Sequence, residues 1–178
     1  TAALRWLPRA SLLLGSFDGV LFSLAYGTGV RSVDPSYITQ DVPAPFAAIE
    51  AYEAGVAFAR SFENATVAAR SVFFQTHVDK DHVFSESEGR NVIGGGTTRT
   101  GWMGSFRVTT PSFDQNANAT LVRSTFDDTH LLVPYAPDLV VRSDSVFHSD
   151  LPWPLAGRRL HGSAALGMSY VGHRALPY

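Results

Sequence analysis

The chain has 178 residues and a net charge of −2, enough length for one domain with a core and no basic footprint that would attract nucleic acid. Charged residues make up 17% of it, against a usual share of about 25%, so its surface is thinly charged. There is no cysteine, which excludes a disulfide framework and a cysteine-ligated zinc site.

No apolar run approaches the ~18 residues of a membrane-spanning helix. The chain opens on Thr1 with neither an initiator methionine nor a basic-then-apolar leader, so any targeting segment is expected upstream. Alternating apolar and polar residues predict eight strands, over residues 8–14, 20–28, 49–60, 65–78, 98–110, 117–126, 138–148 and 160–172. The connectors 15–19, 61–64, 111–116 and 149–159 are mostly short, whereas 29–48 and 79–97 are long and 127–137 is intermediate. Residues 34–40 follow a serine and are expected to form one helical turn inside their loop. Short and longer connectors alternate, as in an antiparallel up-and-down meander with tight turns at one end and extended loops at the other.

Most of these strands have a greasy face and a small or polar one; 65–78 is ambiguous, since Phe73 and Phe74 are adjacent and Arg70 breaks one register. Tyr52, Ala54, Val56 and Phe58 alternate with Glu53, Gly55 and Ala57; Trp102, Gly104, Phe106 and Val108 alternate with Met103, Ser105, Arg107 and Thr109. Around residue 166, Ala164, Leu166, Met168 and Tyr170 alternate with Ser163, Ala165, Gly167 and Ser169. Periodicity alone leaves two readings open: greasy face in a protein core, or greasy face in lipid with the small face lining a hydrated lumen. The strands are longer than the ~5–6 residues usual in globular proteins and near the ~9–11 of a tilted membrane strand. The polar face is rich in Ser, Thr and Gly, and aromatics such as Tyr26, Tyr52, Phe126, Phe147 and Tyr170 sit near strand ends.

Several stretches resemble the C-terminal barrel of TonB-dependent outer-membrane receptors. They are LAYGTGVRSVDPSY, AIEAYEAGVAF with Tyr52, Glu53 and Gly55 in place, SVFFQTHVDKDHVF, GRNVIGGGTTRTGWMGSFRV with Met103 where that family has glutamate, VPYAPDLVVRSD and YVGHRALPY. The order matches across nearly the whole chain. The resemblance implies an all-β fold in which residues 1–178 are a segment of a large transmembrane β-barrel, lacking its plug domain and final strands. It further implies a bacterial outer-membrane location, with Trp102, Phe106, Leu139, Val141, Phe147, Leu166 and Met168 against the lipid bilayer. The implied function is import of a scarce bulky solute, such as a ferric siderophore or cobalamin, energised by the TonB system through the plug. No cofactor, metal or nucleic acid is implied, and no enzymatic activity. The residues 8–14 and 160–172 are expected as two unpaired edges of an open sheet.

Candidate ligand contacts are the aromatic and charged residues of the longer loops: Arg31, Tyr37, His82, Arg90 and His130. The HVDKDH stretch, with His77, Asp79, Asp81 and His82, offers metal-ligating types but lacks the glycine of a calcium loop, and a solvated loop tip is expected. The GGGTT stretch lacks the Lys-Ser/Thr of a phosphate loop. Asp127 with Asp128, and Glu86 with Glu88, read as loop acids. Arg142, Asp144, His148 and His161 would line the lumen of the implied barrel, where they are expected to pair with one another or with a plug. The alternative from another class is a β-sandwich binding module that takes a carbohydrate-like ligand on Trp102 and Trp153.

Overall fold

The computed structural model describes residues 5–32, 46–85, 90–93, 95–152 and 158–176. They hold ten strands: β1 (Arg9–Phe17), β2 (Val20–Ser32), β3 (Phe46–Phe62), β4 (Ala65–Val78), β5 (His82–Ser85), β6 (Arg90–Ile93), β7 (Thr97–Thr109), β8 (Phe113–Phe126), β9 (Leu139–Asp150) and β10 (His161–Val171). Eight form one sheet in the order β1-β2-β3-β4-β7-β8-β9-β10, and β5 pairs with β6 in a separate hairpin. Every neighbouring pair is antiparallel. The all-β meander of eight strands in chain order is therefore present. The helical turn expected at 34–40 lies outside the described residues, and the connector 79–97 carries the β5–β6 hairpin that alternation did not reveal.

Local sequence explains the pairing. Asp18 and Gly19 join β1 to β2 with φ of 49° and 89°, the left-handed values that a two-residue hairpin turn asks of Asp-Gly. That turn opposes Phe17 to Val20, a bulge between Gly15 and Phe17 then shifts the ladder to Leu12↔Leu24, and the next pairing sets Leu24↔Ala54 and Tyr26↔Tyr52. Because side chains alternate with period two, each such pairing commits whole strands to a face. Arg60 ties the same turn to β3 through Asp18 at 3.0 Å.

The segment of a large transmembrane β-barrel is overturned. The sheet is open: β1 pairs only with β2 and β10 only with β9, so each outer strand leaves one backbone edge without a ladder. A barrel spans hydrocarbon because closure pairs every strand on both sides, and an open edge has no partner there. The outer-membrane location and the lipid bilayer as partner were implied by the same resemblance and are corrected with it. Among the described residues no helix is long and apolar enough to cross a membrane. Nor are there two face-packed sheets of a sandwich among those residues; the second sheet is the short hairpin.

The two faces differ in a way that positions the site. The face carrying Tyr26, Tyr52, Phe73, Trp102 and Phe106, called here the aromatic face, is uncovered: Phe73 is 66% exposed and Leu166 72%. The buried apolar residues Ala47, Val72 and Val78, together with Thr97, sit on the opposite face, Val72 at mid-strand and the other three at the end with the longer connectors. The segment that follows β4 closes over that end, where Asp79 Oδ1 accepts the Ala48 N–H at 2.6 Å.

Candidate functional site

The aromatic face is built from rows that cross the sheet. One row runs Leu12, Leu24, Ala54, Phe73, Trp102, Leu121. The row beside it runs Ala10, Tyr26, Tyr52, Gln75, Thr100, Arg123. Apolar side chains thus lie directly alongside polar ones over five strands. A shallow groove of about 630 Å³ runs over β1–β4 to Thr100 and Gly101 of β7, lined by members of both rows and by residues of the row between them, with Trp102 beyond its lining.

Trp102 is held flat. Its Nε1–H donates to Ser71 Oγ at 2.8 Å, and its six-membered ring lies over the Cα of Gly104. A Cβ at Gly104 would stand 2.5 Å from Trp102 Cη2. The glycine therefore gives the ring its seat, where Trp102 is half-buried. Phe73, directly across from Trp102 on β4, is exposed beside it.

The polar rim is a hydrogen-bonded network. Tyr26 and Tyr52 stack at 5.0 Å with planes tilted by 42°, and both hydroxyls donate to Glu50 Oε1, at 2.9 and 2.8 Å. Those two bonds, that of Tyr52 first, hold the Glu50 carboxyl below its ordinary range against the opposing effect of desolvation, and the nearby His77 acts in the same direction as the bonds. The same bonds push both tyrosyl hydroxyls above their ordinary value, helped by desolvation and the carboxylate charge. Further along, His77 Nδ1 lies 3.2 Å from Asp127 Oδ2, and Thr98 donates to Asp127 Oδ1 at 2.6 Å.

On the opposite face Asp81 forms a second hub. It is 2% exposed and accepts hydrogen bonds from Arg31 at 3.3 Å, from Thr97 at 2.9 Å and from Arg99. The solvated tip expected for HVDKDH is thus corrected at this residue. Among the described residues no three His, Asp or Glu side chains gather as a metal site.

Of the expected ligand contacts, neither Arg31 nor His130 is among the residues that line the groove. Arg31 is committed to Asp81. Tyr37 lies outside the described residues, as does Trp153. His82 and Arg90 are backbone positions at opposite ends of the small hairpin, opposite Ile93 and Ser85. His130 is exposed in the turn after β8 with φ 57°, its N–H bonded to Phe126 O at 3.0 Å. Arg142 pairs with Asp144, His148 with Asp114 and His161 with Asp150, at 2.9, 2.8 and 2.5 Å. His148, with the Thr109 hydroxyl, holds the Asp114 carboxyl below its ordinary range. The residues that do gather, Tyr26, Glu50, Tyr52, Phe73 and Gln75, were legible as alternating strand residues but not as neighbours, because their cross-strand register is set by the turns.

No family model matches this chain, and no curated protein matches it. The resemblance to TonB-dependent receptors therefore has no matching family or relative behind it, and the open sheet lacks the closed wall such a receptor needs. Import of a ferric siderophore or cobalamin, the small-molecule solute and TonB system as partners through a plug, and the bacterial outer membrane as location all followed from that resemblance and are set aside with it.

Proposed function

We propose that this chain is a binding module whose aromatic face takes a carbohydrate-like ligand. The observation that carries the reading is Trp102, pinned flat on Gly104 by Ser71 beside the exposed Phe73, with Gln75, Thr100 and Arg123 one row away. A sugar ring has an apolar C–H side and a rim of hydroxyls. Flat aromatic rings meet the first, and the adjacent polar row meets the second. The fold supports this use: a row of side chains on a sheet is straight and spaced by the strands, which suits an extended chain of rings.

The reading is of binding, not catalysis. Of the acids along the polar rim, Glu50 is engaged by two tyrosyl hydroxyls and Asp127 by His77 and Thr98. General acid–base work needs two groups held in contrasting environments, and these acids are both held as hydrogen-bond acceptors.

The test is calorimetric titration of the whole chain with a panel of cello-, xylo-, chito- and malto-oligosaccharides, followed in parallel by tryptophan fluorescence. Saturable heat with at least one class, lost in Trp102→Ala and partly kept in Trp102→Phe, supports the proposal. No heat with any member of the panel overturns it.

A further inference from the structure

The two outer strands of the sheet carry an inference independent of the groove. β1 is exposed at all nine residues, and its sequence RASLLLGSF has a single charge, at its first position, and no proline. β10 is exposed at every residue but Gly162, and HGSAALGMSYV contains no Lys, Arg, Asp, Glu or Pro. Sheets usually guard open edges with charge, proline or short strands. These edges have none of those guards along their centres.

Their backbone phases also agree. Thr28 N–H bonds to Pro8 O at 2.9 Å. Antiparallel ladders bond every second residue, so Ala10, Leu12 and Leu14 face β2 while Arg9, Ser11 and Leu13 direct N–H and C=O outward. At the other edge Gly172 N–H bonds to Leu139 O at 2.7 Å and Leu151 N–H to Leu160 O at 2.9 Å. The even-numbered residues of β10 therefore bond to β9, leaving Ser163, Ala165, Gly167, Ser169 and Val171 directed outward. Ser11 and Leu13 carry their side chains on the face opposite the aromatic one, and so do Ser163 and Ala165, with Gly167 at the next position of the same phase. Residues opposed in a bonded antiparallel pair share a face. The eight strands alternate in direction, so β1 and β10 run antiparallel, and they are nine and eleven residues long.

We propose that β1 of one copy adds to β10 of a second copy of this chain, head to tail, extending the ladder with aromatic face continuous with aromatic face. Matched direction, phase, face and length fit this occupant. A head-to-tail contact leaves a free edge on each end of the pair, so it propagates to a ring or filament.

The experiment measures mass by light scattering on the full chain across a concentration series. Ser11→Pro and Ala165→Pro each remove one outward N–H without touching the bonds to the inner neighbour; far-UV circular dichroism checks that the sheet persists. Leu13→Lys and Gly167→Lys are used in their place if either proline variant loses strand signal. The unmodified chain is expected to rise above its 19.3 kDa monomer mass with concentration. Each single-edge variant alone is expected to remain monomeric. Their mixture is expected to form a heterodimer and stop there. A wild-type chain monomeric throughout, self-assembly of either edge variant alone, or a mixture that stays monomeric would each overturn the proposal.

Discussion

Replacing Asp81 with alanine tests whether the buried hub on the opposite face holds the longer-connector end of the sheet together. The carboxylate accepts hydrogen bonds from Arg31, Arg99 and Thr97, and the residue's own N–H reaches Gly95 O at 3.3 Å. The three carboxylate bonds are lost in the change, and the N–H bond is kept. Breaking a fully buried ion pair costs roughly 3–5 kcal/mol, but the Arg31 and Arg99 side chains are 54% and 40% exposed and regain water, so their share is small. Thr97 is wholly buried, and its hydroxyl is stranded at a cost of about 1–3 kcal/mol. The sum expected is about 2–3 kcal/mol. With a urea dependence of about 2 kcal/mol per molar, the midpoint of unfolding, followed by circular dichroism, should fall by roughly 1–1.5 M. Thr97→Val in the Asp81→Ala background removes the stranded hydroxyl and should restore part of the loss. A midpoint that moves by less than about a quarter molar, or a double variant no better than the single, would refute the reasoning.

Ser71→Ala removes the partner of the Trp102 indole, and should cost about 1 kcal/mol in urea unfolding while broadening the tryptophan emission. Gly104→Val should displace the Trp102 ring that its Cβ would strike, read as a red-shifted emission maximum with the strand signal kept. Glu50→Gln should bring the Tyr26 and Tyr52 hydroxyls back toward their ordinary value, read from tyrosinate absorbance in an alkaline titration. The Glu50 carboxyl is held low in the folded chain, so its stabilisation is fully present above the ordinary carboxylate range and disappears as pH falls through the lowered value. The stability gap between the wild-type chain and Glu50→Gln should therefore close on acidification; the raised tyrosines act in the reverse sense, their contribution fading as pH rises through their elevated values.

Alternation made the strands legible because a period of two is a local property. Tyr52, Ala54, Val56 and Phe58 announce β3 whatever lies beside them, and Asp18-Gly19 announces the first turn. What a strand pairs with, and whether the last strand meets the first, depends on contacts far apart in sequence. A chain that alternates like a barrel wall alternates equally well as an open sheet, so the two unpaired edges were legible while the larger barrel inferred around them was not. Asp81 was misplaced for a related reason. It looks like a charged tip between Lys80 and His82, yet Arg31 arrives from 50 residues upstream and no local pattern signals that meeting. The β5–β6 hairpin escaped because each strand has only four residues, too few for a period to show. The Tyr26–Tyr52–Glu50 network followed from register, which one tight turn and one longer connector set jointly.

The account rests on the aromatic face as the ligand surface, and the most direct test compares one exposed apolar residue on each face. Phe73 is 66% and Leu13 63% exposed, on the aromatic and the opposite face respectively. Each is changed to alanine, and both variants are titrated calorimetrically with the oligosaccharide that the wild-type chain binds best. The account predicts that Phe73→Ala weakens binding about tenfold or more, roughly 1.4 kcal/mol, while Leu13→Ala leaves it unchanged. Equal affinity in the two variants, or a larger loss in Leu13→Ala, would contradict it.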